Sequence, residues 1–223
     1  MSDLTAVDIM IQPDANAIER AREVNRRMPL SIPAGITLDD THLPHITMLQ
    51  RYLITADLDH AYAAIETTIA ATDVAALSYH VPGITYSEHW GPPGQAAAVL
   101  GVHPNQQVLD LQAALLAPVW RSTYWPTVTP FTGTGGTDAA FVTDPGQQIS
   151  ATTKDWVETY QPNQVGANYT AHLTVGLATV ADLKAMQAEP FDEFDVRPVG
   201  LAVYQLGNNG TARARLKAWP LTT

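Results

Sequence analysis

The chain has 223 residues, 46% of them hydrophobic, and a formal net charge of −10. That length suits one large domain or two small lobes sharing a core, and the composition supplies the apolar residues to fill it. There are no cysteines, which excludes disulfides, thiolate metal sites and a cysteine nucleophile; the negative field disfavours a nonspecific grip on long nucleic acid.

The opening residues, "MSDLTAVDIM", carry no basic segment leading into a long apolar run, and no stretch approaches the roughly 18 apolar residues of a membrane span. The expectation is a cytoplasmic protein with no membrane partner. In chain order, "AVDIMI" (6–11) reads as a short buried strand bounded by Pro13. Asp14 or Asn16 is placed to cap a helix in which Ile18, Ala21, Val24 and Met28 recur at three- and four-residue steps, ended by Pro29 and Pro33. After a loop with Gly35 and Pro44, "HITMLQRYL" reads as a strand. Leu58, Ala61, Tyr62, Ile65 and Ile69 share a face of a second helix.

"LSYHVPGITYSE" and "QAAAVLGVH" read as two strands around the turn-rich "HWGPPG". A third helix is expected from about Asn105, with Val108, Leu111, Leu115 and Val119 facing inward. Residues 126–168 are rich in Pro, Gly and Thr and weakly periodic, which reads as an irregular insertion or flap within a single domain spanning 1–223. "NYTAHLTVGLA" is a strand, Thr179 with Asp182 signals a capped short helix, and "RPVGLAVYQL", "GNNG" and "TARARLKAW" read as a closing hairpin. The result is an α+β order of elements.

Two short motifs carry the chemistry: "PHITML" (44–49) and "AHLTVG" (171–176). Alternate side chains of a strand share a face, so His45 pairs with Thr47 and His172 with Thr174, each backed by an apolar residue. Two such strands side by side would bring two imidazoles and two hydroxyls to one cleft. That set suits phosphoryl transfer without a metal. One imidazole takes a proton, the other gives one, and both states of histidine are accessible near neutrality. The hydroxyls are placed to donate to phosphate oxygens.

The two His-x-Thr motifs, and the order of elements around them, resemble the 2H phosphoesterase superfamily, which includes 2′-5′ RNA ligase-like proteins and cyclic phosphodiesterases. The resemblance implies a bilobal, pseudo-twofold α+β fold, with two antiparallel-rich sheets lining a central cleft and helices packed outside. It also implies metal-independent, cofactor-free chemistry on 2′,3′-cyclic phosphates or 2′-5′ linkages of nucleotides or RNA ends. His45 and His172 would be the acid–base pair, Thr47 and Thr174 the phosphate-orienting hydroxyls. The chain departs from that pattern in the long spacing between motifs and in Ala171, where many members have proline. A monomer is expected, and a non-catalytic module that binds the same ligands in the same cleft is the rival reading.

Among cations, Arg51 lies next to the first motif and Arg213 shares a strand face with Arg215 and Lys217; each is a candidate to reach the phosphate, although a solvated face explains the triplet as well. Tyr169, Tyr204, Tyr124 and Trp125 are candidates to stack on a base, or else core and rim. His42 with His45 makes a poor metal pair beside Pro44, with no carboxylate cluster nearby, so no metal site is assigned. His60, His80, His89 and His103 read as surface or loop residues, with His89 beside Trp90 a possible ligand-loop element. The glycines of "TGTGG" (Gly133, Gly135, Gly136) lack the context and the lysine of a phosphate-binding loop, and no Gly-x-Ser-x-Gly or His-Glu-x-x-His is present.

Overall fold

The computed structural model describes residues 3–28, 37–39, 42–88, 93–120 and 132–221. Strand β1 (Leu4–Pro13) is buried along almost its whole length, as a run apolar on both faces should be. Helix α1 (Ala15–Arg27) follows, capped by Asp14, whose side chain accepts from the Ala17 N–H at 3.0 Å. Its inward face is Ala17, Ala21 and Val24, with Ile18 half-buried. The helix closes on Met28; Pro29 and Pro33 lie outside the described residues.

Strand β2 (Ile46–Ile54), helix α2 (Leu58–Ala70), strands β3 (Tyr79–Ser87) and β4 (Gln95–His103), and helix α3 (Gln106–Trp120) come next. In α3 the expected Val108, Leu111 and Leu115 are buried; the Val119 side chain lies outside the described residues. Asn105 starts this helix, its Oδ1 accepting from the Val108 N–H at 3.0 Å.

The stretch read as an irregular insertion is only partly so. Its residues 126–131 lie outside the described residues, but Ala151–Asn163 form helix α4, with Ser150 Oγ accepting from the Thr153 N–H at 3.0 Å. The signal is weak in sequence because Trp156, Val157 and Tyr160 are spread over two faces: Val157 packs with Tyr52, Phe141 and Ile149 in a small second core, while Trp156 and Tyr160 turn to a cleft. Strand β5 (His172–Thr179), helix α5 (Val180–Gln187), a short strand β6 (Phe194–Val196), and the hairpin β7 (Pro198–Leu206) and β8 (Ala212–Pro220) complete the chain. Thr179 caps α5 as expected, accepting from the Asp182 N–H at 3.1 Å. No helix among the described residues is long and apolar enough to cross a membrane.

The strands run in the order β6-β3-β4-β5-β2-β1-β7-β8, every pairing antiparallel. The two middle strands, β5 and β2, share a single rung, Ile46 with Leu173. The sheet is therefore two four-stranded antiparallel halves meeting at one seam, and the fold is α+β and bilobal. Helices cross the seam: α1, which follows β1 of one half, packs on β5 of the other, and α3, which follows β4, packs on β2. The outer edges are blunted by charge, with Asp195 in three-residue β6 and Arg213, Arg215 and Lys217 on β8.

Candidate active site

The seam rung consists of Ile46 and Leu173, the apolar residues that directly follow His45 and His172. Both face the core at 0% exposure, so the histidines and threonines on either side point the opposite way, into one cleft of about 1020 Å³. In a continued antiparallel ladder His45 would lie opposite Thr174 and His172 opposite Thr47, with the two histidines as diagonal neighbours. Such neighbours stand about 7–8 Å apart at the backbone, close enough for one phosphate to lie between two imidazoles.

The two imidazoles are held in the same way. His45 Nδ1–H donates to the Leu43 carbonyl at 2.7 Å, and His172 Nδ1–H donates to the Thr170 carbonyl at 2.7 Å. Each contact reaches back two residues. Each fixes the tautomer and turns the ring by its far edge, which leaves the His172 Nε2 without a bond of its own among the described residues and sets the His45 Nε2 3.5 Å from Asp8 Oδ2.

The halves match further along the strands. Met48 is an extra residue in β2 opposite β1, and Val175 an extra residue in β5 opposite β4; each bulge lies three residues after its histidine. Each bulged carbonyl accepts an amide from the helix that crosses the seam: Gln112 Nε2 of α3 donates to the Met48 carbonyl at 3.1 Å, and Asn25 Nδ2 of α1 to the Val175 carbonyl at 2.7 Å. The bulge resets the alternation, so after His45 and Thr47 the next cleft residue is Gln50, and after His172 and Thr174 it is Leu177.

Here the likeness ends. Gln50 is paired with Asp8 on β1, whereas Leu177 is paired with Ala97 on β4. Asp8 is fully buried, and its Oδ2 accepts from Thr47 Oγ1 at 2.7 Å and from Gln50 Nε2 at 2.8 Å, with His45 Nε2 at 3.5 Å. Its Oδ1 has no partner among the described residues.

This asymmetry pulls the imidazoles apart. Burial opposes a charge on His45, but the hydrogen bond and charge of Asp8, with the Leu43 carbonyl, outweigh it and hold the His45 pKa above its ordinary value. For His172 burial prevails, assisted by the nearby charge of His45, and its pKa falls despite the Thr170 carbonyl and Asp8. Thr47 commits its only proton to Asp8, so it faces a ligand as an acceptor. Thr174 has no hydrogen-bond partner among the described residues and is the free donor.

The remaining candidates separate. Tyr169 lines the cleft, but its hydroxyl donates to the Thr47 carbonyl at 2.7 Å, so it braces the first motif. Arg51 is buried behind the wall; burial pushes its pKa down against the charge of Glu158. Tyr204 packs with Met10, Ala202 and Ala212. Arg213 is bound to Asp144 by two hydrogen bonds, at 3.1 and 2.8 Å. Arg51, Tyr204 and Arg213 are thus not among the residues lining the cleft. Tyr124, Trp125, His89 and Trp90 lie outside the described residues.

Conversely, His42 and His103, neither expected there, do line the cleft, as do Tyr86, Trp156 and Tyr160. No cluster of three or more His, Asp or Glu among the described residues is arranged to hold a metal ion. Two glycines of "TGTGG" have a packing explanation: a Cβ on Gly136 would lie 2.1 Å from the Tyr52 ring and one on Gly133 2.3 Å from Leu4.

No protein-family model matches the chain, and no curated protein matches it. Among solved structures, the crystal structure of E. coli LigT in apo form is similar, with a TM-score of 0.49 and 12% identity over 100% of both chains.

Proposed function

We propose that this chain is a metal-independent phosphodiesterase that opens a 2′,3′-cyclic phosphate or a 2′-5′ phosphodiester in a nucleotide or at an RNA end. The observation that carries this reading is the matched fixing of two imidazoles at a seam. Both rings are locked through Nδ1 to a carbonyl two residues back, and both histidines line one cleft. A structural histidine has no need of a partner with the same tautomer across a single-rung seam. A proton-relay pair does.

In the hydrolytic direction a water oxygen forms a bond to phosphorus as one imidazole Nε2 takes its proton. The bond from phosphorus to a ribose oxygen breaks, and the other imidazole, protonated at Nε2, gives that oxygen its proton. One imidazole ends protonated and one neutral, and exchange with solvent resets the pair. Thr174 donates to a non-bridging oxygen. Tyr86, Trp156 and Tyr160 supply aromatic surface on which a base can stack.

The test is a panel of 2′,3′-cyclic nucleotides and 2′-5′ dinucleotides assayed with and without EDTA. Turnover should resist EDTA, and His45→Ala or His172→Ala should each lower kcat/KM by about 10²–10⁴-fold. Undiminished turnover in the double variant sinks the reading. Calorimetric binding of a cyclic nucleotide with no product after hours would replace it with the binding-module reading.

A further inference from the structure

We infer that Asp8 is the positioning residue that gives the histidine pair its direction, keeping His45 as the proton donor and leaving His172 as the proton acceptor. The donor and acceptor roles rest on the phosphodiesterase reading; the pairing of Asp8 with His45 does not.

The argument is one of broken symmetry. Four features of one half have counterparts in the other: His45 and His172, Thr47 and Thr174, the bulges at Met48 and Val175, the amides of Gln112 and Asn25. At the next position the counterparts differ in kind. Asp8 with Gln50 is a buried charge and an amide; Ala97 with Leu177 is apolar.

A strand in the middle of a sheet has no packing reason to hold a carboxylate at 0% exposure, least of all one whose Oδ1 finds no partner among the described residues. Such a group opposes folding unless a neighbouring positive charge compensates it. Among the described residues the cation within reach is His45, at 3.5 Å from Oδ2.

The other groups around the pair do not supply this bias. His172 on β5, Tyr160 on α4 and Tyr169 ahead of β5 share the cleft with His45, and His103 on β4 lies on the His172 side. Burial holds both tyrosines far above their ordinary pKa, so they are neutral phenols at working pH. His42 lies beside Asp39, with Nδ1 3.5 Å from its Oδ1. No aspartate or glutamate is among the described residues lining the cleft, which leaves Asp8, just behind the wall, to act on the imidazoles. The raised pKa of His45 and the lowered pKa of His172 have the sign this requires.

The roles follow. Activity needs His172 neutral and His45 protonated, so the rate falls below the His172 pKa and above the His45 pKa, with a plateau between. Replacing the carboxylate by an amide lowers the upper limit.

The experiment is an NMR titration of the two imidazole Cε1–H signals in the wild-type chain, assigned with His45→Ala and His172→Ala, and repeated in Asp8→Asn. His45 should titrate above His172, and Asp8→Asn should lower His45. The alkaline limb of kcat/KM should move down with it while the acid limb moves less. A companion variant, Ala97→Asp with Leu177→Gln, copies the polar pair into the other half and should raise His172.

Equal titration of the two rings, His172 titrating above His45, or an unmoved His45 in folded Asp8→Asn overturns the inference. The first two results come from the wild-type chain alone, so a variant that fails to fold does not protect it. Because titration needs no turnover, ordered imidazoles in a protein with no phosphodiesterase activity would refute the proposed function and leave the Asp8–His45 pairing intact.

Discussion

Thr47 and Thr174 occupy matching positions, yet one hydroxyl donates to a buried carboxylate at 2.7 Å and the other is free of partners among the described residues. Their valine variants should therefore fail differently. On the proposed function, Thr174→Val removes a donor to the phosphate and should lower kcat about 10²-fold with both limbs of the pH profile in place. Thr47→Val leaves Asp8 one donor short, so His45 takes the vacated acceptor and the alkaline limb moves up. Identical pH profiles for the two variants would refute the division of labour. The His/Thr faces are legible in sequence because period two holds from 45 to 47 and from 172 to 174. Gln50 and Leu177 are not, because a bulge removes the next step of that period from any pattern count. Asp8 is hidden for another reason: in "AVDIMI" it reads as a polar interruption of a buried strand, and its meaning lies in residues more than thirty positions away.

Among the elements, the helices that cross the seam do more than cover the sheet. Gln112 of α3, at 1% exposure, donates to both the Met48 and Gln164 carbonyls, at 3.1 and 2.9 Å, and accepts from the Gly166 N–H at 3.0 Å. It joins the first motif to the end of α4 and the approach to β5. Gln112→Leu leaves those groups unpaired and should cost about 1–3 kcal/mol in urea denaturation, with a fall in kcat as the His45 strand loses its anchor. Unchanged stability would show that water replaces the amide and that the anchor is incidental. The caps at Asp14 and Thr179 were legible because capping is local chemistry, decided within four residues. Helix α4 was not, since its periodicity serves two masters, a small core on one side and the cleft on the other.

For the molecule as a whole, one rung between β2 and β5 is the only backbone pairing that joins the halves among the described residues. A ligand that touches both His45 and His172 therefore bridges the two halves and adds to what the crossing helices hold. A non-hydrolysable 2′-5′ dinucleotide at about 100 times its Kd should stabilise the fold by about 2.7 kcal/mol, seen as a rise in Tm. His45→Ala and His172→Ala should each reduce that rise. An equal rise in the double variant would place the ligand elsewhere.

The single seam also has a consequence for biosynthesis. The half that carries His172 is built from β3, β4, β5 and β6, one uninterrupted span from Tyr79 to Val196, while the half that carries His45 needs β1, β2, β7 and β8, from both flanks of that span. As the polypeptide leaves the ribosome, the inner half has all its strands before the outer half can close. His45 and Asp8 emerge early but wait for β7, the second neighbour of β1, to complete their sheet. The nascent chain thus completes the His45 half last, and a truncation before Pro198 would leave His172 in a half with all four of its strands while the sheet of His45 stays unfinished.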